Sequence, residues 1–458
     1  MKKAIILLMC TIMLLTAACS RTASPTIADA TEGSTTTHAE MTDAAAVFTE
    51  SAPEPDNYEG KEYCFDYHPG SYGAISDTYI METDDTIYYL CNNVMYFSDK
   101  AYKDFMPLCP RPECAHSGSD CDAYIDTVGG FWIYGHYIYY LSFGLNGKDP
   151  DDVKIKNASL WRMRFDGTKH EEVYKFEAPD LGFTPRWTDW QFFFSGKYLT
   201  IYYYCRKYET DITSGFVRGL LTLDDLNYVE RERYDKYDPR EHRTEDDLDG
   251  NVIFCEGSLY YCLNCVYTGT GPFDRRYRIT AYNIETDEYT LIADLDEQPA
   301  YLDGLIMKKD GDILYMPYLG EEGQKSIHAV DLDTGEDKTT ASGDLDTLGV
   351  SLFDWSRGWL CGTHKDPGND PASSGFCVYD EEGDLLEIAT CEGLPEETLD
   401  LAVFLQTENY FFASPLTTDE FGNVIGVSLG FSVPTWYIDK SEIGTGNLAW
   451  HRWAPDGD

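Results

Sequence analysis

One repeated pattern constrains the fold of this chain more than any other feature of its sequence. A short run rich in Tyr, Phe, Ile and Leu follows a turn, and a similar run returns roughly every 50 residues. Such runs occur at 87–89, 138–140, 201–203, 259–261, 313–315, 359–360 and 410–412. Strong hydrophobicity over so few residues, bounded by turn residues, is typical of buried β-strands.

Each aromatic run is followed by a second strand-like run that alternates and usually ends in an acidic turn, as in Leu160–Gly167. Most units add an apolar run before it, such as Phe131–Tyr134, and another after the turn, such as Tyr289–Ile292. Four strands in every repeat predict an all-β fold, a β-propeller of about seven four-stranded blades, with six or eight as alternatives. A strand near Tyr63–Phe65 is the candidate to complete the last blade beside Trp450–Trp453.

The acidic turns invite a calcium interpretation, which their spacing does not support. Asp331–Glu336 and Asp380–Asp384 lack the longer loop and distant Glu of an EF-hand. Asp and Gly are also the residues that tight hairpins require. We therefore predict that these segments are hairpin turns.

The N-terminus indicates export and anchoring. A basic start, an apolar stretch too short to span a membrane and small residues before Cys19 predict a lipoprotein signal peptide over residues 1–18. Cys19 is the predicted lipidation site, although Thr16 stands where a leucine is usual. Residues 19–57 are rich in Ala, Thr, Ser, Glu and Pro, which predicts a disordered tether. The propeller domain is then expected over residues 58–458.

Net charge narrows the range of partners. The formal charge of −45 argues against nucleic acid, whose phosphates are bound by clustered Lys and Arg. An anionic bilayer would also repel this domain, so membrane association is expected to depend on the lipid anchor. The predicted location is the extracytoplasmic face of the cell membrane, and we expect a monomer.

The most specific local motif lies between the first two predicted blades. Cys109, Cys114, His116 and Cys121 fall within one short segment and would supply a tetrahedral Cys₃His site for one structural zinc ion. The spacing matches no standard zinc finger, and a disulfide between two of these cysteines is an equal alternative. Filling all four positions with protein ligands would leave none for a reacting water, so we expect a structural role and no other cofactor.

Loop lengths suggest where a ligand would bind. Loops from strand two to three, and from strand four to the next blade, share one face of a propeller. The long connections fall in that set, at 144–158, 206–218, 235–250, 267–278, 363–375 and 415–433. Long loops gathered on one face commonly carry binding. We call this surface the long-loop face and expect it to hold a glycan, a peptide or a partner protein.

Two other functional classes remain open on the sequence. One is a glycan-active lyase or hydrolase on a propeller scaffold, and the other is an envelope scaffold or sensor. The chain lacks the Gly-x-Ser-x-Gly elbow of a hydrolase domain, and its 80 Asp and Glu residues make any choice of catalytic carboxylates arbitrary. With no catalytic residues to nominate, a binding protein is favoured over an enzyme.

The lipobox-like Leu15–Cys19, the tether, the aromatic repeats and the Cys109–Cys121 motif together resemble a family. It comprises surface lipoproteins of gut Firmicutes with a propeller of unknown function, similar to the DUF5050 family and related to low-density-lipoprotein-receptor propellers. The resemblance covers the whole predicted propeller. It implies a propeller fold and a surface location, and it implies no activity.

Overall fold

The structure is a computed structural model that describes residues between 80 and 453. Gaps in this description fall at 102, 117, 126–129, 144–156, 178–189, 207–213, 238–250, 268–274, 296–307, 311, 320–324, 343–350, 355–359, 365–374, 380–384, 390–399, 408, 419–423 and 426–432. The predicted signal peptide, Cys19, the tether and Tyr63–Phe65 lie outside the described residues. So does most of the long-loop face.

The first four blades each contain four strands. Blade 1 is β1 (Ile80–Glu82), β2 (Thr86–Cys91), β3 (Val94–Asp99) and β4 (Met106–Pro107). Blade 2 is β5 (Phe131–Tyr134), β6 (Tyr137–Phe143), β7 (Asn157–Arg164) and β8 (Glu171–Glu177). Blade 3 is β9 (Trp190–Ser195), β10 (Tyr198–Arg206), β11 (Ser214–Thr222) and β12 (Asn227–Tyr237). Blade 4 is β13 (Asn251–Glu256), β14 (Leu259–Tyr267), β15 (Arg275–Asn283) and β16 (Glu288–Leu295).

The remaining three blades follow the same plan. Blade 5 is β17 (Lys308–Asp310), β18 (Ile313–Leu319), β19 (Lys325–Asp331) and β20 (Asp337–Ser342). Blade 6 is β21 (Ser351–Asp354), β22 (Leu360–His364), β23 (Gly375–Tyr379) and β24 (Leu385–Ile388). Blade 7 is β25 (Asp400–Gln406), β26 (Tyr410–Thr418), β28 (Trp436–Asp439) and β29 (His451–Arg452), and β27 (Val424–Ile425) pairs with β26. A 3-10 helix, Lys440–Glu442, lies between β28 and β29.

Seven consecutive antiparallel sheets in the described part of the chain confirm the predicted β-propeller of about seven blades. The aromatic runs form the second strand of each blade, and the alternating runs form the third. Burial explains this assignment, because β2 is buried at all six positions whereas the outer strand β16 is exposed at half of its positions. In the part of the chain that is described, no helix has the length and apolarity needed to cross a membrane.

The first and last blades pack together and close the series. Phe105, in the loop before β4, lies with its ring centroid 5.8 Å from that of Trp453 and 6.2 Å from that of Phe412. The ammonium of Lys103 lies 4.3 Å from the centroid of the Tyr437 ring. Blade 7 already has four strands of its own, so these side chains, rather than a shared strand, join it to blade 1 in the described structure.

Neighbouring blades also meet at the turn between their third and fourth strands. Gly167, with φ of +76°, lies against the preceding blade so closely that a Cβ atom would stand 2.0 Å from the carbonyl oxygen of Leu108. Gly335, with φ of +72°, meets the carbonyl oxygen of Ile292 in blade 4 in the same way. Glycine is required at both positions because the backbone is left-handed and the preceding blade leaves no space for a Cβ atom.

The acidic turns in the described residues are held by hydrogen bonds from backbone N–H groups to their aspartates, as hairpin chemistry predicts, whereas Asp380–Asp384 lies outside the described residues. The Asp331 carboxylate accepts hydrogen bonds from the N–H groups of Asp333 at 3.0 Å and Thr334 at 2.8 Å. Asp166 accepts one from Thr168 at 2.9 Å. These are Asx-type turns, in which the side-chain oxygen substitutes for a backbone acceptor.

Several strands extend further than the sequence indicates. The loop expected at 206–218 shrinks because Ser214–Arg218 belongs to β11 and pairs with β10. Gly215 and Gly219 lie in β11, and glycine within a strand hides the alternating pattern.

Candidate metal centre

The four predicted ligand residues interrupt the outer strand of blade 1. After β4, the Leu108 N–H donates to the Met95 carbonyl at 2.8 Å, and the chain then leaves the sheet. It returns at Ala123, whose carbonyl accepts from the Met95 N–H at 2.8 Å. Ile125 then donates to the Asn93 carbonyl at 2.8 Å. Segments 106–108 and 123–125 are therefore two halves of one outer strand, and residues 109–122 are an excursion between them.

The excursion brings all four predicted ligands together. One ligand atom from each of Cys109, Cys114, His116 and Cys121 lies within 4.8 Å of the others. The Sγ of Cys121 is 3.7 Å from Nδ1 of His116, and the His116 backbone N–H donates to the Sγ of Cys114 at 3.4 Å. Cys121 is buried and the other three residues are half-buried. This Cys₃His cluster could hold a metal ion.

The distances suit tetrahedral coordination. Metal–sulfur bonds of about 2.3 Å imply ligand-to-ligand edges of about 3.8 Å in a tetrahedron. The four atoms would therefore move by about 1 Å or less to reach that geometry. All six cysteines whose side chains are described, these three included, are free thiols.

The thiols at the two ends of the excursion differ in acidity. Burial raises the pKa of Cys121 to about 11, against a hydrogen bond from the Ala123 backbone, and the Cys114 and Cys109 thiols raise it further. Burial also raises the pKa of Cys109, but hydrogen bonds from the Arg111 and Asp122 backbones and from the Cys121 and Arg111 side chains outweigh it. The net pKa of Cys109 lies below its ordinary value, so this residue is the more readily ionised thiol.

A histidine from blade 2 holds the returning half of the excursion. The Nε2 of His170 lies 2.7 Å from the Asp122 carbonyl oxygen and 3.0 Å from that of Gly167, so this nitrogen carries the proton. Its Nδ1 lies 2.8 Å from the hydroxyl of Tyr140, which donates to it in the neutral tautomer. His170 thereby fixes the residue next to Cys121.

Sequence reasoning missed His170 and Arg111. His170 lies 48 residues from Asp122, and nothing local signals their contact. Arg111 could have been found from the sequence, because it lies inside the cysteine motif between two prolines.

A second polar arrangement lies on the outer hairpin of blade 5. Nδ1 of His328 is 2.9 Å from the Asp337 carboxylate, and its Nε2 is 3.4 Å from the Thr339 hydroxyl. The order Asp337, His328, Thr339 resembles the acid, base and nucleophile of a hydrolase triad. However, the contact between His328 and Thr339 is long, and Thr339 is exposed. We interpret these three side chains as a surface hydrogen-bond chain.

Comparisons with known proteins give no family. No family model and no curated protein matches this chain. Among solved structures, it is similar to an acylaminoacyl peptidase of Pyrococcus horikoshii, at 10% identity and a TM-score of 0.41 over 82% of this chain. The match covers 52% of the peptidase, so this chain spans about half of that protein's length.

Two further structures have similar scores. An oligogalacturonate lyase in complex with manganese is 11% identical, with a TM-score of 0.37, over 81% of this chain and 86% of the lyase. The β-propeller domain of the Trilobed protease from Pyrococcus furiosus is 11% identical, with a TM-score of 0.37, over 72% of this chain and 96% of that domain.

Proposed function

We propose that this chain is a lipid-anchored extracytoplasmic propeller that holds one structural zinc ion at Cys109, Cys114, His116 and Cys121. The observation that carries the metal assignment is the convergence of three thiols and one imidazole within 4.8 Å. Thiolate-rich tetrahedral sites are typical of zinc, and carboxylate-preferring cations such as magnesium and calcium do not suit them.

The position of the cluster supports a structural role. Cys109 lies where the outer strand of blade 1 breaks off, and Cys121 lies two residues before it resumes at Ala123. A metal bound to both would staple the two half-strands together and lower the entropy of the open excursion. Four protein ligands would leave no open coordination position, which is the arrangement of structural rather than catalytic zinc.

The metal assignment is tested by metal analysis of purified residues 58–458. We expect about one zinc per chain in the wild-type protein, and loss of zinc in Cys114→Ser and Cys121→Ser. The matched control is Cys377→Ala, which removes a buried thiol in blade 6 outside the cluster and should retain zinc. A wild-type protein that binds no zinc and carries a Cys109–Cys121 disulfide would refute the assignment.

The ligand-binding role remains a proposal from the sequence. We propose that the long-loop face binds a glycan, a peptide or a partner protein, and that Cys19 attaches the chain to the membrane. Replacing Cys19 with Ala should release the protein from the membrane fraction. Binding of a glycan or peptide library by purified residues 58–458, without turnover, would separate a binding protein from a glycan-active enzyme. Release of cleaved polysaccharide would favour the enzyme.

A further inference from the structure

Arg111 is an isolated positive charge in an acidic stretch of the chain. It is the only Lys or Arg between Lys103 and Lys148, and Glu113, Asp120 and Asp122 lie close to it in sequence. Pro110 and Pro112 flank it. A residue before proline is restricted to extended backbone, so the prolines limit the conformations of Cys109 and Arg111.

The Arg111 side chain spans both ends of the excursion. At the departing end Arg111 lies two residues after Cys109, and its side chain contributes to lowering the pKa of that thiol. At the returning end its Nε lies 3.1 Å from the Asp122 carboxylate, and its guanidinium donates to the Asp120 carbonyl. Cys121 lies between those two residues. Arg111 therefore connects the segments that carry the first and last ligands.

The positive charge of Arg111 would also offset the negative charge of a metal-loaded site. Three thiolates and a neutral imidazole around a divalent ion have a net charge of −1. The protein around it is strongly acidic, so an added negative charge is unfavourable. A guanidinium close to Cys109 offsets that charge, and groups around metal-bound thiolates orient and stabilise them.

Building on the proposed zinc site, we propose that Arg111 is the positioning residue that sets its metal affinity. Its guanidinium holds the two ends of the excursion together and compensates the charge of the thiolate-rich complex. Lysine keeps the charge but loses the planar fork that reaches several acceptors at once, so it is a partial substitute.

The test compares zinc dissociation constants by chelator competition at low and high salt. Arg111→Met should weaken binding by about 10- to 100-fold, the usual range for a residue outside the ligand set, with Arg111→Lys in between. Salt should weaken zinc binding in the wild-type protein and have a smaller effect in Arg111→Met. The matched control is Arg164→Met, an exposed arginine at the end of β7, which should bind zinc as the wild-type protein does.

Cobalt(II) absorption distinguishes a positioning role of Arg111 from misfolding of the Arg111→Met variant. Cobalt(II) bound to Arg111→Met should show the same tetrahedral thiolate absorption as in the wild-type protein, because the four ligands are unchanged. Arg111→Met that binds zinc as tightly as the wild-type protein would overturn this inference and leave the zinc site standing. A wild-type protein that binds neither metal would overturn the zinc site itself, and this inference with it.

Discussion

The side-chain amide of Asn409 in blade 7 donates a 2.9 Å hydrogen bond to the carboxylate of Glu82 in blade 1. The Asn409 backbone N–H donates to the same carboxylate at 3.2 Å, and Lys100 forms an ion pair with it at 2.5 Å. The Glu82 side chain is only 1% exposed. A buried carboxylate with these partners ties the last blade to the first next to the aromatic contacts of Phe105.

Replacing Glu82 should therefore weaken the closure of the ring. We expect Glu82→Ala to lower the free energy of unfolding by about 3 kcal/mol, because a buried ion pair loses one partner. Glu82→Gln should cost about half as much, since an amide still accepts a hydrogen bond. Urea unfolding measures both. Glu171→Ala is the control, because it removes an ion pair with Arg162 in which Glu171 is 51% exposed and should cost less than about 1 kcal/mol.

The repeated strands could be predicted from the sequence because burial alternates over short distances. The aromatic runs at 87–89 and 138–140 became second strands, and the acidic turn after Val330 became a hairpin held by Asp331. The proximity of Cys109, Cys114, His116 and Cys121 was also predictable, since a short segment must keep them close. All of these are local properties of the sequence, and the strand pattern recurs in each repeat.

Contacts between blades could not be predicted in the same way. Glu82 accepts hydrogen bonds from Asn409, which is 327 residues away, and His170 reaches the excursion from the next blade. Such pairs depend on how twisted sheets pack against each other, and the periodicity of the sequence does not predict that packing. The split outer strand of blade 1 escaped prediction for a related reason, since Ala123–Ile125 is too short to show alternation.

The glycine that lies against the preceding blade should tolerate no side chain. Gly167→Ala would place a Cβ atom 2.0 Å from the backbone of Leu108, so the blades must separate locally. We expect a loss of about 3 kcal/mol from strain and overpacking together. Gly446→Ala is a matched control, with φ of +78° and nothing within 4 Å, and should cost only about 1 kcal/mol from backbone strain. Equal losses in thermal or urea unfolding would show that Gly167 is required for its φ alone.

Thiol labelling should distinguish cysteines that are protected by burial from cysteines that are protected by bound zinc. Burial raises the pKa of Cys91 to about 11 and that of Cys262 to about 12, so both should resist iodoacetamide in the folded protein. Cys109 and Cys114 are half-buried and should react once a chelator removes zinc. Mass spectrometry of labelled peptides measures the four sites separately. Rapid labelling of Cys262 without denaturant would contradict the packing of blade 4.

Alkaline pH should destabilise the fold through half-buried tyrosines. Burial raises the pKa of Tyr410 to about 12, with Asp439 and Glu82 adding to it, and burial likewise raises that of Tyr228 to about 12. An unfolded tyrosine ionises near pH 10, so between about pH 10 and 12 the unfolded chain binds fewer protons than the native one. Stability should therefore be fully present below about pH 10 and fall as pH rises towards 12. Tyr410→Phe and Tyr228→Phe should each make this decline shallower in urea unfolding, while leaving the pH dependence between 7 and 8 unchanged. A decline of unchanged steepness in both variants would mean that other groups control the alkaline transition.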